Sequence, residues 1–257
     1  MSAPSASRVN REFYDQPLPG RDDYWRKMAA PRSRVAQLLA LIADLSPARI
    51  ADLGPGGGQL LSEIHARQPG IQLCGIDIAV SQIADNARRL PTIEWHAADL
   101  DGDDRIPRAL WGTFDIVIAS ELIEHMDHPE ALLRNARRLA RPGTGRLLLS
   151  TQSGPLRETE RRVGHRRHWS QAEMQQALID AGWVPIRVWN CGFPFHDLSK
   201  WYANLDPGAS MARYAEKAYG PRENFVCYAL RTAFRFNSRR RGAQLFAVAK
   251  RPSDGAA

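Results

Sequence analysis

Two short stretches carry the residue types that could do chemistry. The first is Ser120-Glu121-Leu122-Ile123-Glu124-His125-Met126, with two carboxylates and an imidazole inside five positions. If this segment begins a helix, Glu121, Glu124 and His125 stand at i, i+3 and i+4 and share one face. Such a group is costly unless it binds a cation, holds a proton or faces solvent. An acidic first turn at a helix N-terminus explains the two glutamates but not the histidine. The second stretch is Asp52-Leu53-Gly54-Pro55-Gly56-Gly57-Gly58, where four glycines fall within five residues. Glycines there let the chain adopt positive φ and let a ligand approach bare backbone. A dinucleotide fingerprint needs its third glycine at Gln59, which breaks that reading. A cofactor loop and a tight turn with close strand–helix packing both remain open.

The elements that must position these groups follow from periodicity. Ile50, Ala51 and Leu53 form a short apolar run ahead of the loop, and Leu60, Leu61 and Ile64 recur at helical spacing behind it. A second strand, 71–78, brings Asp77 to its end, where an acidic residue can accept hydrogen bonds from ribose hydroxyls. Capping the helix that starts near Ser81 is its alternative role. A helix over 81–90 leads to a third strand at 92–96 and then to Asp99, with Asp101, Asp103 and Asp104 as rivals. The fourth strand, 114–119, runs directly into the Glu/His stretch. Pro129 opens a helix over 130–140 that Arg141-Pro142-Gly143 stops, and a fifth strand follows at 146–150. Strand and helix alternating with short connections predict an α/β fold with a parallel sheet covered on both faces. Before the loop, 21–45 reads as helical with an interruption at Pro31, and Val35, Leu38, Leu39 and Ile42 form its apolar face. Asp23-Tyr24-Trp25 can lid a pocket there. Residues 1–20 read as a loose extension whose Phe13 and Tyr14 can tuck onto the fold.

At 257 residues the chain can bury a large core, as one α/β domain or one domain with an appended subdomain. The 44% hydrophobic and 25% charged fractions are ordinary for a globular protein. No apolar run reaches the roughly 18 residues a membrane span needs. The first residues lack the apolar core of a signal peptide, so a cytoplasmic location is expected. Cys74, Cys191 and Cys227 are odd in number and widely spaced, as reduced core residues would be. The net charge of +7 comes mostly from arginines, several of them in clusters such as Arg137/Arg138, Arg166/Arg167 and Arg239–Arg241. Nucleic acid, an anionic membrane or an acidic substrate would suit that balance, as would scattered solvated arginines.

Taken in order, Ile50–Gly58, Gly75–Asp77, Ala98–Leu100, Phe114–His125 and Arg141–Ser150 resemble the successive motifs of the class I S-adenosylmethionine-dependent methyltransferases. The branch with ubiquinone-biosynthesis O-methyltransferases and many natural-product and sugar methyltransferases is the nearer match. Glu-x-x-Glu-His is typical of it, as is Gly164-His165-Arg166-Arg167-His168-Trp169-Ser170 followed by Glu173 and Ala181-Gly182-Trp183. The resemblance covers roughly 30–190 and a final strand near 244–249. It implies a Rossmann-like, seven-stranded, mostly parallel sheet with helices on both faces, in the order 3-2-1-4-5-7-6 with strand seven antiparallel. Strand six would be 184–190 and strand seven 245–250. It also implies S-adenosylmethionine binding by Asp52, Gly54, Pro55, Gly56, Gly58, Asp77, Ile78, Asp99, Leu100 and Ser120. In this family the glycine loop cradles the amino-acid end of the cofactor, Asp99 bonds the adenine amino group, and the next residue packs on the ring.

This organisation divides the chain into an N-terminal extension or lid (1–30), a catalytic domain (31–190 with 243–251) and a helical cap inserted between the last two strands (191–242). The cap segment holds Trp201, Tyr202, Tyr214, Tyr219, Phe225, Tyr228, Phe234 and Phe236, at spacings for two or three helices. Packing inside the cap accounts for most of them, and the rest would wall an acceptor site; a dimer surface or a basic patch are the alternatives. For chemistry, the sulfonium methyl needs an aligned nucleophile, deprotonated if it is a hydroxyl. His125 and His165, with Glu124, are the catalytic candidates, since imidazole titrates near neutrality. Glu121, Glu124, His125 and His165 also resemble the two Glu and two His that hold a divalent cation in RNA 3′-terminal 2′-O-methyltransferases. The expected activity is O-methylation of a small-molecule acceptor such as a natural product, sugar or quinone-like metabolite. RNA 2′-O-methylation, N-methylation of a small molecule and cofactor binding without catalysis are the alternatives. RNA is disfavoured because no RNA-binding module is appended.

Overall fold

The computed structural model describes residues 19–102, 106–214 and 217–254. The expectations for Phe13, Tyr14, Asp103 and Asp104 lie outside the described residues. Seven strands form one sheet: β1 (Arg49–Leu53), β2 (Gln72–Asp77), β3 (Glu94–Ala97), β4 (Ile116–Ser120), β5 (Arg146–Gln152), β6 (Val184–Cys191) and β7 (Gln244–Lys250). Their order is β3-β2-β1-β4-β5-β7-β6, as expected. β1 to β5 pair in parallel, and β7 runs antiparallel to both β5 and β6. The order reverses between β1 and β4, and an open α/β sheet forms its ligand crevice at the carboxyl ends flanking such a reversal.

Both faces of the central strands are covered, so their sequences are apolar without alternation. One face buries Ile50, Ile116, Ile118, Leu148 and Phe246 with Leu38 and Ile42 of helix α2 (Ala29–Leu45) and Leu61 and Ile64 of α3 (Gln59–Arg67). The other buries Ala51, Leu53, Val117, Leu147, Leu149 and Leu245 with Leu132 and Leu133 of α5 (Pro129–Leu139) and Met174 and Leu178 of α7 (Gln171–Asp180). The intervening helices are α1 (Pro19–Lys27), α4 (Val80–Arg89) and the short α6 (Glu158–Arg162). The break between α1 and α2 falls at Met28, which leaves Pro31 in the first turn of α2, where a proline costs no hydrogen bond. The three cysteines are free and buried. No described helix is long and apolar enough to cross a membrane.

Two expectations are corrected. The segment after β4 is not the first turn of a helix. Glu121 takes a left-handed φ of 53°, and a 3-10 turn, Ile123–His125, follows before α5 begins. Glu121, Glu124 and His125 therefore do not share a helical face. The second correction concerns 191–242. It is helical, with α8 (Phe195–Ala203), α9 (Pro207–Tyr214) and α10 (Pro221–Phe234), and it packs on α1, α2 and α6. The Asp23 carboxylate ties α1 to it, accepting the Tyr219 backbone N–H at 2.7 Å and pairing with Lys27 at 2.8 Å. Its aromatics, however, are mostly not internal: Tyr219 and Phe234 are buried, while Trp201, Tyr202, Phe225, Tyr228 and Phe236 are exposed.

Candidate active site

At the carboxyl ends of β1, β2 and β4 a single cleft is lined by Asp52, Gly54, Pro55, Gly56, Asp77, Ile78, Asp99, Leu100 and Ser120, together with His125. Gly58 does not line it. That residue starts α3 at φ 73°, and a Cβ there would stand 3.0 Å from the Trp95 ring, so turn geometry and packing require glycine. Gly56, at φ 52°, is the opposite case, because a Cβ would meet nothing within 4 Å. Its bare backbone borders the cleft.

Asp77 shapes the loop directly. Its Oδ2 accepts the Gly56 N–H at 3.0 Å and its Oδ1 accepts the Ala79 N–H at 2.9 Å. A carboxylate offers about four lone-pair directions, and Asp77 is also one of the residues lining the cleft. Burial, and then the charge of Asp77, push the carboxyl of Asp52 well above its ordinary range. Asp99 caps its own turn by accepting the Asp101 N–H at 3.1 Å. Its rival Asp101 is occupied as a clasp, accepting the backbone N–H groups of Asp127 (3.1 Å) and His128 (2.7 Å). Trp25 and Arg26 of α1 and Arg32 and Arg34 of α2 also line the cleft, so of the Asp23-Tyr24-Trp25 stretch it is Trp25 that borders it.

The four Glu/His candidates separate into two groups. Glu121 lines the cleft and is anchored to the sheet. It accepts a hydrogen bond from Gln244 Nε2 at 2.8 Å and another from Gln152 Nε2, and it lies 3.5 Å from Arg34 Nη1. Burial alone would raise its pKa, but the Arg34 guanidinium and the two amides outweigh it and hold the carboxyl below its ordinary range. Glu124, His125 and His165 converge instead, with one donor atom from each lying within 4.8 Å of the others. Glu124 is fully buried; Oε2 accepts the Thr151 hydroxyl at 2.7 Å, while Oε1 has no hydrogen-bond partner among the described residues. Burial, and then the Glu121 charge, push its pKa well above the carboxylate range. Burial lowers His125 to about 4, and burial with the neighbouring His125 and His168 lowers His165 to about 2. Both imidazoles are thus neutral at pH 7. Of these three residues, only His125 lines the cleft.

Hydrogen bonding fixes the tautomer of His165. His168 Nδ1 lies 3.1 Å from the Gly154 carbonyl, which only accepts, so that nitrogen carries the proton. Burial lowers the pKa of His168, and in its neutral form Nε2 accepts from His165 Nδ1 at 3.2 Å. His165 Nε2 is left as a lone pair. A carboxylate oxygen without a partner beside two neutral imidazoles fits a borderline divalent cation as a donor set.

Several polar residues of this edge were not singled out from the sequence. Arg34 is 5% exposed and lies 5.1 Å over the Trp25 ring. Its signal was readable, since it stands four and eight residues before the core positions Leu38 and Ile42, on the buried stripe of α2. Gln152 and Gln244 announce themselves as polar residues ending apolar strands. His196 and Lys200 gave no such signal, and Tyr24 was singled out only within the Asp23-Tyr24-Trp25 stretch. Burial pushes the Tyr24 phenol up and the His196 imidazole down to about 3. Lys200 reaches across from the cap to Gln152 Oε1 (2.9 Å) and Glu160 (3.3 Å).

The strand order, the antiparallel seventh strand and a cleft walled by a glycine loop and two strand-end aspartates define the Rossmann-like fold of the class I methyltransferases. The chain belongs to the methyltransferase-domain family, which matches residues 24–217. A ubiquinone biosynthesis O-methyltransferase from Xanthomonas oryzae pv. oryzae is 39% identical over 114 residues, 42% of this chain and 44% of that protein. The chain thus spans less than half the length of the curated relatives it matches. Among solved structures, the [4+2]-cyclase SpnF superimposes with a TM-score of 0.62 at 18% identity, covering 98% of both chains. The N-methyltransferase NodS from Bradyrhizobium japonicum, in complex with S-adenosyl-L-homocysteine, gives 0.58 at 15% identity, covering 97% of this chain and 100% of that one. At those identities the likeness is one of fold.

Proposed function

We propose that the protein transfers the methyl group of S-adenosylmethionine to a hydroxyl of a small-molecule acceptor. The observation that carries this reading is that His125, neutral at pH 7, shares one cleft with the glycine loop, Asp77 and Asp99. When bound, the cofactor supplies an electrophilic sulfonium methyl. The backbone of Gly54–Gly56 would hold its amino-acid end, with Asp52 beside the ammonium; Asp77 would accept the ribose hydroxyls, and Asp99 the adenine amino group above Leu100. His125 would take the acceptor proton, backed by His165. A hydroxyl acceptor is favoured over an amine because an amine needs no such base. The name of the Xanthomonas relative points the same way, while NodS is named an N-methyltransferase. Against RNA stands the cleft wall, where Arg32 and Arg34 are already paired with Glu63 and Glu121.

One observation favours a second form of the same chemistry. The unpartnered Glu124 Oε1, with His125 and His165, would hold a divalent cation that acidifies the acceptor hydroxyl. The test is turnover of S-adenosylmethionine to S-adenosylhomocysteine over a panel of phenolic, aliphatic and amine acceptors, with and without EDTA. An unassisted base predicts no effect of EDTA and a loss of about 10²–10⁴ in rate for His125→Ala. A cation predicts that EDTA abolishes turnover while cofactor binding persists. Near-normal turnover by the Glu124, His125 and His165 alanine variants would remove both roles, and no S-adenosylhomocysteine from any acceptor would remove the proposal.

A further inference from the structure

The last helix of the insertion has two apolar faces. One is explained by packing: Cys227 and Phe234 are buried, and α10 lies against α2. The other is not. Phe225 is 71% exposed, Tyr228 71% and Phe236, just beyond the helix end, 74%. Phe225 and Tyr228 are one turn apart on a single stripe. Arg222 lies on one flank of that stripe, Arg231 and Arg235 on the other, and all three are exposed. α8, which packs against α10, adds exposed Leu198 and Trp201, and Leu205 follows it. Large aromatic and aliphatic groups gathered in solvent mark an interaction site more often than accident.

We propose that this outer face docks on an anionic lipid surface, with the aromatic stripe in the headgroup–acyl boundary and the arginines at the phosphates. The charge selects the partner. From Pro221 to Arg241 there are six arginines (Arg222, Arg231, Arg235, Arg239, Arg240, Arg241) against the single acid Glu223, a net +5 out of the chain's +7. Glu223 caps the start of α10, its Oε2 accepting the Gly220 N–H at 3.0 Å, and the net +5 already counts its charge. A second copy of the chain would bring +5 against +5. Single-stranded nucleic acid would find arginines and rings, but not a use for Leu198 and Leu205, which do not stack with bases. A helix with aromatics centred between flanking arginines, lying flat rather than spanning, is the arrangement that binds lipid interfaces. Docking there would let the protein work on an acceptor that resides in the bilayer, although the face itself is independent of which acceptor is used.

The test is co-sedimentation of the full chain with vesicles of phosphatidylcholine alone and of phosphatidylcholine mixed with phosphatidylglycerol. Binding is expected to the mixed vesicles only, and to weaken with added salt. Replacing Arg222, Arg231 and Arg235 by Gln should reduce that binding about a hundredfold. Phe225→Ser, Tyr228→Ser and Phe236→Ser combined should reduce it by about a hundredfold or more. Both sets lie on the surface, so thermal midpoint and circular dichroism should match the parent; if one set perturbs folding, the other decides. Three outcomes overturn the proposal: no binding to either vesicle, binding by both variant sets equal to that of the parent, or a dimer in sedimentation equilibrium that the serine variant dissociates. Retention of single-stranded RNA without vesicle binding would also overturn it.

Discussion

Asp77→Ala tests the site where its geometry is most explicit. The carboxylate holds two backbone N–H groups, Gly56 in the glycine loop at 3.0 Å and Ala79 at the start of α4 at 2.9 Å. Hydrogen bonds to a charged group contribute about 1.5–3 kcal/mol each, and here the deletion orphans the Ala79 N–H, whose residue is fully buried. One effect opposes the loss: removing the Asp77 charge relieves Asp52, whose pKa that charge helps to raise. The net cost should be about 2–4 kcal/mol, or roughly 5–15 °C in thermal midpoint for a chain of this size. If Asp77 also accepts the ribose hydroxyls, S-adenosylhomocysteine affinity should fall by about tenfold or more, since each 1.4 kcal/mol is about a factor of ten. Asp77→Asn, which keeps one acceptor oxygen, should recover about half of the stability and little of the affinity. Scanning calorimetry reads the first effect, and titration calorimetry below the variant's midpoint reads the second. A folded Asp77→Ala protein with unchanged affinity would reduce Asp77 to a loop clamp, and an unchanged midpoint would refute the clamp.

Three further outcomes follow from buried charge. Glu124 has its pKa raised by burial, so its stability contribution is full below the unfolded value and lost as pH rises through the folded one. Glu124→Gln should therefore stabilise the protein at pH 8 and not at pH 4, by urea unfolding; if the site holds a cation, added Mn²⁺ should raise the midpoint of the parent but not of this variant. His125, His165 and His196 are lowered by burial to about 4, about 2 and about 3, so the unfolded chain binds protons first. Stability should hold above about pH 6.5 and fall between about 6.5 and 4, by up to about 1.4 kcal/mol per pH unit for each histidine, a slope that His196→Phe should reduce. Arg34→Met strands the buried Glu121 charge and should cost about 3 kcal/mol, most of it recovered by adding Glu121→Gln; additive costs in that double-mutant cycle would show the pair uncoupled.

Much of the architecture can be read in the chain itself. The short apolar runs at 50–53, 116–119 and 147–149 suit strands, and their glycine and proline punctuation marks the turns, so these strands were anticipated to within a few residues; their order in the sheet came only from the resemblance to the class I methyltransferases. The cleft was legible for the same reason. Asp52 and Asp77 lie at the carboxyl ends of β1 and β2 and Asp99 just beyond that of β3, and parallel strands bring their carboxyl ends to one edge whatever the details of packing.

The Glu/His stretch is where sequence reading stops. Helical spacing puts Glu121, Glu124 and His125 on one face, but Gln152 and Gln244, more than thirty and more than a hundred residues away along the chain, draw Glu121 into a left-handed turn. That splits the four candidates into a charged anchor and a buried cluster of Glu124 with two neutral imidazoles, with pKa values set by burial and by partners no local pattern contains. The insertion behaves alike. Its aromatic spacing predicts helices, and helices form; which ring faces inward depends on how α10 meets α2. Strand, turn and helix arise from neighbours a few residues apart, whereas charge state and exposure belong to groups that only the folded chain brings together.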